Sequence, residues 1–415
     1  MSSKNDDPVR NHCRHVLAFE MQTGGSHPSY IRNFAVQWAE KIPDTKIDFL
    51  VTQEFAEQHE AVLNQVNSLE PGRIGMIVMK PDESHRVRVS NKFREFEGWK
   101  IFCDYATSLG SQKGLLMYSD HFQLPMLLRQ RSPCQISCIY FRPTFHYGQF
   151  GNYQPNLKQS LAAVRKKWML SRLLKLREMD VLFCLDPIAV DYIRDNLQTN
   201  ARIMQLPDSF VREEIPRDRI DRLREEFQIE SGRRVVLLLG ILDRRKGPVQ
   251  LLQAIDAMDD ASKSKMCLLM AGKIDEQIES EVLDHVDKLQ RQGKLQLVMK
   301  NSYITDTLVQ DYYELADVAL TTYQNHMGMS SALIRAALAK IPVLSSSYGL
   351  MGELVLRHQL GTVVDTTSPV EFTAAIEKVV NEDVDRLFDL KEALEFADSH
   401  SPDALGRTLK DWVSG

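Results

Sequence analysis

A chain of 415 residues with 43% hydrophobic side chains has room for two domains of about 200 residues, each with its own core. Its 51 Lys and Arg stand against 56 Asp and Glu, a net charge of -5, so no global basic excess points to nucleic acid. Of the six cysteines only Cys134 and Cys138 lie close together, without the second pair that a zinc motif needs, and all six read as reduced thiols.

The first 14 residues are polar. No stretch approaches the roughly eighteen continuous apolar residues of a membrane span, so a soluble, cytoplasmic protein is expected. Residues 15–20 (HVLAFE) form a short apolar strand candidate, 22–27 (QTGGSH) a glycine turn, and 30–39 a helix by their apolar spacing. Further strands are expected at 47–52, 74–79, 115–119, 136–141, 181–185 and 202–206. The charged segment 207–228, with Pro207 and Pro216, suits a linker leading into a helix.

A second series of strands follows at 235–240, 268–272, 295–299, 318–322, 342–346 and 362–365, and the tail 386–413 reads as helices broken at Pro402. Strands alternating with helices predict an α/β protein of two doubly wound, Rossmann-like domains, 1–207 and 208–385. They are expected to face each other across a cleft at the strand carboxyl ends, with the helices of 386–415 returning to the first domain.

The most informative stretch is 327–350, MGMSSALIRAALAKIPVLSSSYGL, preceded by His326. Gly328 allows close backbone approach to an anion, and Ser330 or Ser331 can cap a helix whose first free amides suit a diphosphate. Leu333, Ile334, Ala337, Leu338 and Ile341 recur at helical spacing before Pro342 ends the helix and a strand begins. Gly328, Ser331 and Arg335 fall on one stripe. The rise from Met329 places the Arg335 guanidinium roughly 9 Å from the helix start, about the reach from a diphosphate to its ribose.

In the second half these residues resemble retaining glycosyltransferases of the GT-B fold, specifically glycosyltransferase family four. The landmarks are the strand and Lys-Gly turn ending Gly240-Ile-Leu-Asp-Arg-Arg-Lys-Gly247, the Ala-Gly strand end at 268–272, and Tyr312-Tyr-Glu-Leu-Ala-Asp-Val318. Gly349–Val355 (GLMGELV) resembles the glycine loop and Glu-x-Val segment, which contains Glu353; Leu360–Asp365 and Ser368–Phe372 complete the order. The resemblance implies that Lys246 lies against the donor diphosphate. The family arginine falls on Ile241, which leaves Arg244 or Arg245 as its replacement. The family's two glutamates, eight positions apart, fall on Met327 and Arg335. This degenerate pair implies an altered donor site in which His326 can hydrogen-bond a sugar hydroxyl and Arg335 prefers a phosphate or carboxylate.

The first half resembles the acceptor domain more loosely. Gly24 and Gly25 match the family's first-loop glycines, and Ser119, Asp120 and His121 follow the 115–118 strand where a polar residue or histidine stands near the transferred sugar. Asp120 is a candidate to accept the acceptor hydroxyl's proton, or the departing phosphate does so while Asp120 and His121 position the sugar. Phe141–His146 (FRPTFH) and Asp186-Pro187 are candidates for the acceptor side.

The basic stretch 165–177 (RKKWMLSRLLKLR) reads as an amphipathic helix, suited to packing on a sheet or to peripheral contact with an anionic membrane. The expected activity is metal-independent transfer of a sugar from a nucleotide donor to a glycan, lipid or small-molecule acceptor, without a cofactor and without nucleic acid. A catalytically degenerate binding subunit and a nucleotide-sugar epimerase of similar fold are the alternatives.

Overall fold

The computed structural model describes residues 13–128, 130–150, 155–211 and 214–415; the polar lead 1–12 lies outside them. The described residues separate into two compact units. Unit 1 comprises those within 1–146, 156–209 and 402–415, and unit 2 those within 147–155 and 210–401.

Unit 1 contains the strands β1 (His15–Glu20), β2 (Lys46–Val51), β3 (Ile74–Val78), β4 (Lys113–Leu116), β5 (Gln135–Tyr140), β6 (Met179–Cys184) and β7 (Arg202–Gln205). They pair in the order β3-β2-β1-β4-β5-β6-β7, and every pairing is parallel. All six positions of β1 are buried, as a strand covered by helices on both faces requires. Apolar cores lie on the two sides, one around Phe19, Trp99 and Phe102, the other around Phe34, Trp38 and Phe49. The helix Pro402–Ser414 seals the second core: the Trp412 ring stands 6.0 Å from Trp38, and its backbone carbonyl accepts from Lys113 Nζ at 2.9 Å.

Unit 2 contains β8 (Arg234–Leu239), β9 (Met266–Ala271), β10 (Gln296–Lys300), β11 (Val318–Thr321), β12 (Val343–Ser346) and β13 (Gly361–Val364), paired in the order β10-β9-β8-β11-β12-β13. This sheet is also parallel throughout. In both units the strand order reverses beside the first strand, between β1 and β4 and between β8 and β11. Loops leaving the carboxyl ends on either side of such a reversal diverge, and the crevice between them is where open α/β sheets bind ligands.

Every strand expected from the sequence is present, with ends displaced by a few residues. β4 stops at Leu116 instead of 119, which places Tyr118 and Asp120 in a turn. Gly349–Val355 belongs to the helix Gly349–Arg357, because Leu350, Met351, Leu354 and Val355 bury one face of it. The six cysteines are all buried and unpaired.

Candidate active site

In unit 2, two loops meet on Tyr323. The first leaves β8 and carries Arg244, Arg245 and Lys246; the second leaves β11 and runs through His326 to the helix Ser331–Leu338. Lys246 is only 8% exposed. Its Nζ donates to the Leu239 carbonyl at the end of β8 and lies 5.1 Å from the centre of the Tyr323 ring. Arg245 is exposed; its guanidinium sits over the same ring at 5.0 Å, and its backbone carbonyl accepts from Gln324 N at 2.7 Å. Arg244 is exposed beside it. The Tyr323 hydroxyl pairs with Ser330 Oγ at 3.1 Å, and Ser330 Oγ accepts from Ala332 N at 3.3 Å, capping the helix. A lysine, a phenol and a helix cap are thereby linked in one chain of contacts.

Burial alone raises a phenol's pKa, and Tyr323 is 2% exposed. The charge of Lys246, hydrogen bonds with Ser330 and Lys246, and the charge of Arg245 reverse this, holding the phenol below its ordinary value. The positive field here is therefore strong enough to override desolvation. Among the described residues, the backbone N–H groups of Gly328, Met329, Ser330 and Ser331 make no hydrogen bond. Four such donors in succession beside two cations and a helix N-terminus form an anion-binding arrangement.

One expectation for this segment is corrected. The helix begins at Ser331 with Ser330 as its cap, so Gly328 and Met329 are loop residues and the rise to Arg335 is roughly 6 Å rather than 9 Å. A Cβ at Gly328 would meet only the His326 ring, at ordinary distances of 3.6 and 3.7 Å, so sterics do not demand glycine there. The demand falls on Gly349, whose φ is 73° and whose added Cβ would approach the His326 carbonyl to 2.9 Å. His326 itself packs edge-on against Tyr323 at 5.4 Å. Arg335 lies over Phe210 at 4.8 Å, and Glu353 stands 3.6 Å from Arg357 on its own helix.

In unit 1 the corresponding edge is built from side chains. Gly24 and Gly25 form the exposed turn after β1, and Gly25 has a φ of 66°. Asp120 Oδ1 accepts from Phe141 N at 2.8 Å, tying the turn after β4 to the end of β5. Burial raises the Asp120 carboxyl above its ordinary value; the Phe141 hydrogen bond and the charges of Lys166, His121 and Arg142 offset only part of this. His121 is exposed. His146 and Asp186 are buried 2.9 Å apart, and Asp186 Oδ1 caps the following helix by accepting from Ile188 N and Ala189 N.

Two residues that carried no individual role in the sequence reading complete this edge. Glu20, at the end of β1, is 2% exposed and pairs with His27 Nδ1 at 2.7 Å. The His27 ring contacts Tyr118 at 5.3 Å and Phe141 at 5.6 Å, and among the described residues its Nε2 makes no hydrogen bond. A carboxylate fixing one imidazole nitrogen and leaving the other available is an arrangement suited to proton exchange or hydroxyl binding.

A cavity of about 660 Å³ in unit 2 lies elsewhere, between the helices Pro248–Asp256 and Pro369–Asn381, lined by Gln250, Gln253, Thr366, Val370, Phe372 and others. It contains none of the donor residues expected from the sequence. It adjoins their loop at Gln324.

Comparison with solved structures decides the architecture. The N-terminal domain of a Candida albicans trehalose-6-phosphate phosphatase superposes with a TM-score of 0.69 at 12% identity, covering 99% of both chains. A Rickettsia africae glycosyltransferase gives 0.65 at 11% identity over 96% of this chain and 98% of that one. A sucrose-phosphate synthase from Thermosynechococcus elongatus gives 0.64 at 15% identity, again over 96% and 98%. The fold is GT-B. Residues 219–395, wholly within unit 2, match the family model described as glycosyl transferases group 1. Together the GT-B fold and this match support glycosyl transfer as the class of activity. No curated protein sequence matches the chain.

Proposed function

We propose that the protein transfers a sugar from a nucleotide-diphosphate donor to a hydroxyl-bearing acceptor, with retention at the anomeric carbon and without a metal ion. Unit 2 binds the donor. The amides of Gly328, Met329, Ser330 and Ser331 receive the diphosphate, while Arg245 and Lys246 balance its charge. His326 contacts the transferred sugar, and Arg335, four residues beyond Ser331 on the same helix face, shapes donor preference.

As the glycosidic bond breaks, the bonding pair passes to the leaving phosphate oxygen, and preorganised donors around that oxygen lower the barrier. The acceptor oxygen attacks the same face of the sugar, and the departing phosphate takes its proton. Unit 1 holds the acceptor through Asp120 and the Glu20-oriented His27, with Gly24 and Gly25 keeping the turn beside them open. The observation that carries this reading is the chain Lys246–Tyr323–Ser330, which concentrates positive charge at a helix start with unused amides.

The test is incubation of the full chain with a panel of nucleotide sugars and hydroxylated acceptors, measuring nucleoside diphosphate release. Acceptor-dependent release with at least one donor is expected. Donor binding without release favours a non-catalytic binding subunit, and an epimerised donor without release favours an epimerase.

A further inference from the structure

The basic stretch sits on a longer helix, Leu157–Leu173, that is apolar on two opposite faces. Leu170, Leu173 and Leu174 are buried in the unit 1 core. At a hundred degrees per residue, Leu157, Leu161, Val164 and Trp168 form a second stripe on the other side. All four are exposed, at 84%, 71%, 68% and 56%. A surface helix that packs on its sheet needs only the first stripe. The second spans roughly 16 Å along the axis, and the neighbouring short helix Gln123–Leu128 adds exposed Leu124 and Leu128.

The charges around this stripe have one sign. From 157 to 177 there are seven cations, Lys158, Arg165, Lys166, Lys167, Arg172, Lys175 and Arg177, and no Asp or Glu, in a chain whose net charge is -5. Among the described residues none of the seven stands in an ion pair. Lys166 and Lys167 turn inward, to Thr144 Oγ1 at 3.2 Å and the Tyr192 hydroxyl at 2.6 Å. Lys158, Arg165 and Arg172 remain exposed on one flank of the stripe, and Arg172 lies over the Trp168 ring at 5.4 Å.

From this we infer that the helix Leu157–Leu173 lies on an anionic phospholipid surface, its outer apolar stripe immersed at the headgroup boundary and its cations among the headgroups. An exposed apolar face bordered by unpaired cations matches the chemistry of such a surface. A second copy of the chain is disfavoured, because stripe-to-stripe pairing would bring like charges together. No helix among the described residues is long and apolar enough to cross a bilayer, so the contact is interfacial. The inference needs neither donor nor catalysis and stands apart from the proposed activity.

The chain contains four tryptophans. Trp38, Trp99 and Trp412 are at most 1% exposed, which leaves Trp168 as the reporter. The full chain is titrated with vesicles of phosphatidylcholine alone and with vesicles containing one quarter phosphatidylglycerol, following tryptophan emission and flotation. A shift to shorter wavelength and co-flotation are expected with the anionic vesicles only, weakening with salt. Leu161→Gln and Val164→Gln each lower binding about tenfold, and Arg165→Gln with Arg172→Gln removes the preference for anionic lipid. The altered side chains are exposed, so thermal unfolding of these variants stays as in the wild type. Absence of any shift, equal binding to neutral vesicles, or a dimer in solution that Leu161→Gln dissociates would each overturn the inference.

Discussion

Asp120 in unit 1 and Tyr323 in unit 2 both lie just beyond the carboxyl end of a parallel strand, the first half-buried and the second buried, and both have cations nearby. Burial prevails at Asp120, which holds its proton above the ordinary carboxylate range despite Lys166, His121 and Arg142. At Tyr323 the cations prevail, and the phenol falls below its ordinary value. The same desolvation thus yields opposite net shifts. An environment that eases the ionisation of a buried phenol suits an anion, and one that hinders the ionisation of a carboxyl suits hydroxyl groups. The two sheets are alike in winding; they differ in the charges that their loops deliver.

Removing Lys246 tests this contrast hardest. Lys246→Ala is expected to lower turnover by roughly 100- to 1000-fold, the usual cost of losing one preorganised group at a developing oxyanion, and to raise the Tyr323 pKa because burial is then less opposed. Steady-state kinetics and ultraviolet titration of tyrosine ionisation check the two effects; unchanged turnover would detach the lysine from the chemistry. Because the folded state favours the ionised phenol, the stability this contributes is fully present above the ordinary value of 10 and is lost as pH falls through the lowered folded value.

On the unit 1 side, Asp120→Asn keeps an oxygen to accept from Phe141 N but removes the titrating carboxyl. Acceptor-dependent turnover is expected to fall by about tenfold, the cost of weakening one hydrogen bond to the acceptor, with donor affinity unchanged. A matching loss of donor affinity, measured calorimetrically, would erase the division between the units. Tyr323→Phe breaks the contact with Ser330 and is expected to weaken donor binding by about tenfold, within the range for a hydrogen bond to a charged environment. Arg335→Glu is expected to alter relative kcat/KM across a donor panel by a few-fold without abolishing transfer. Identical ratios would place its helix face away from the donor.

The strands were legible because a parallel sheet covered on both sides requires unbroken apolar runs such as HVLAFE and VVLLLG. The loops carrying Lys246 and Ser330 stood out through glycine, lysine and serine at set spacing, whereas the close contacts of Gly349 depend on the His326 loop folding against it. Tyr323 went unremarked, since one aromatic at a strand end says nothing until Lys246, 77 positions away, folds beneath it. Glu20 and His27 likewise gain meaning only when the turn between them brings their side chains together. Hydropathy marked the helix carrying Arg165 as amphipathic but could not show that Trp168 faces outward while Leu170 faces inward.

The central claim is that the amides at Gly328–Ser331 receive a diphosphate. Hydrogen exchange of the full chain with and without a panel of nucleoside diphosphates tests it most directly. Slowed exchange in the peptide spanning 326–333, lost in Lys246→Ala, is the predicted result. Nucleotide binding that leaves this peptide unprotected, or protects the Thr366–Thr373 wall of the neighbouring cavity in its place, would contradict it.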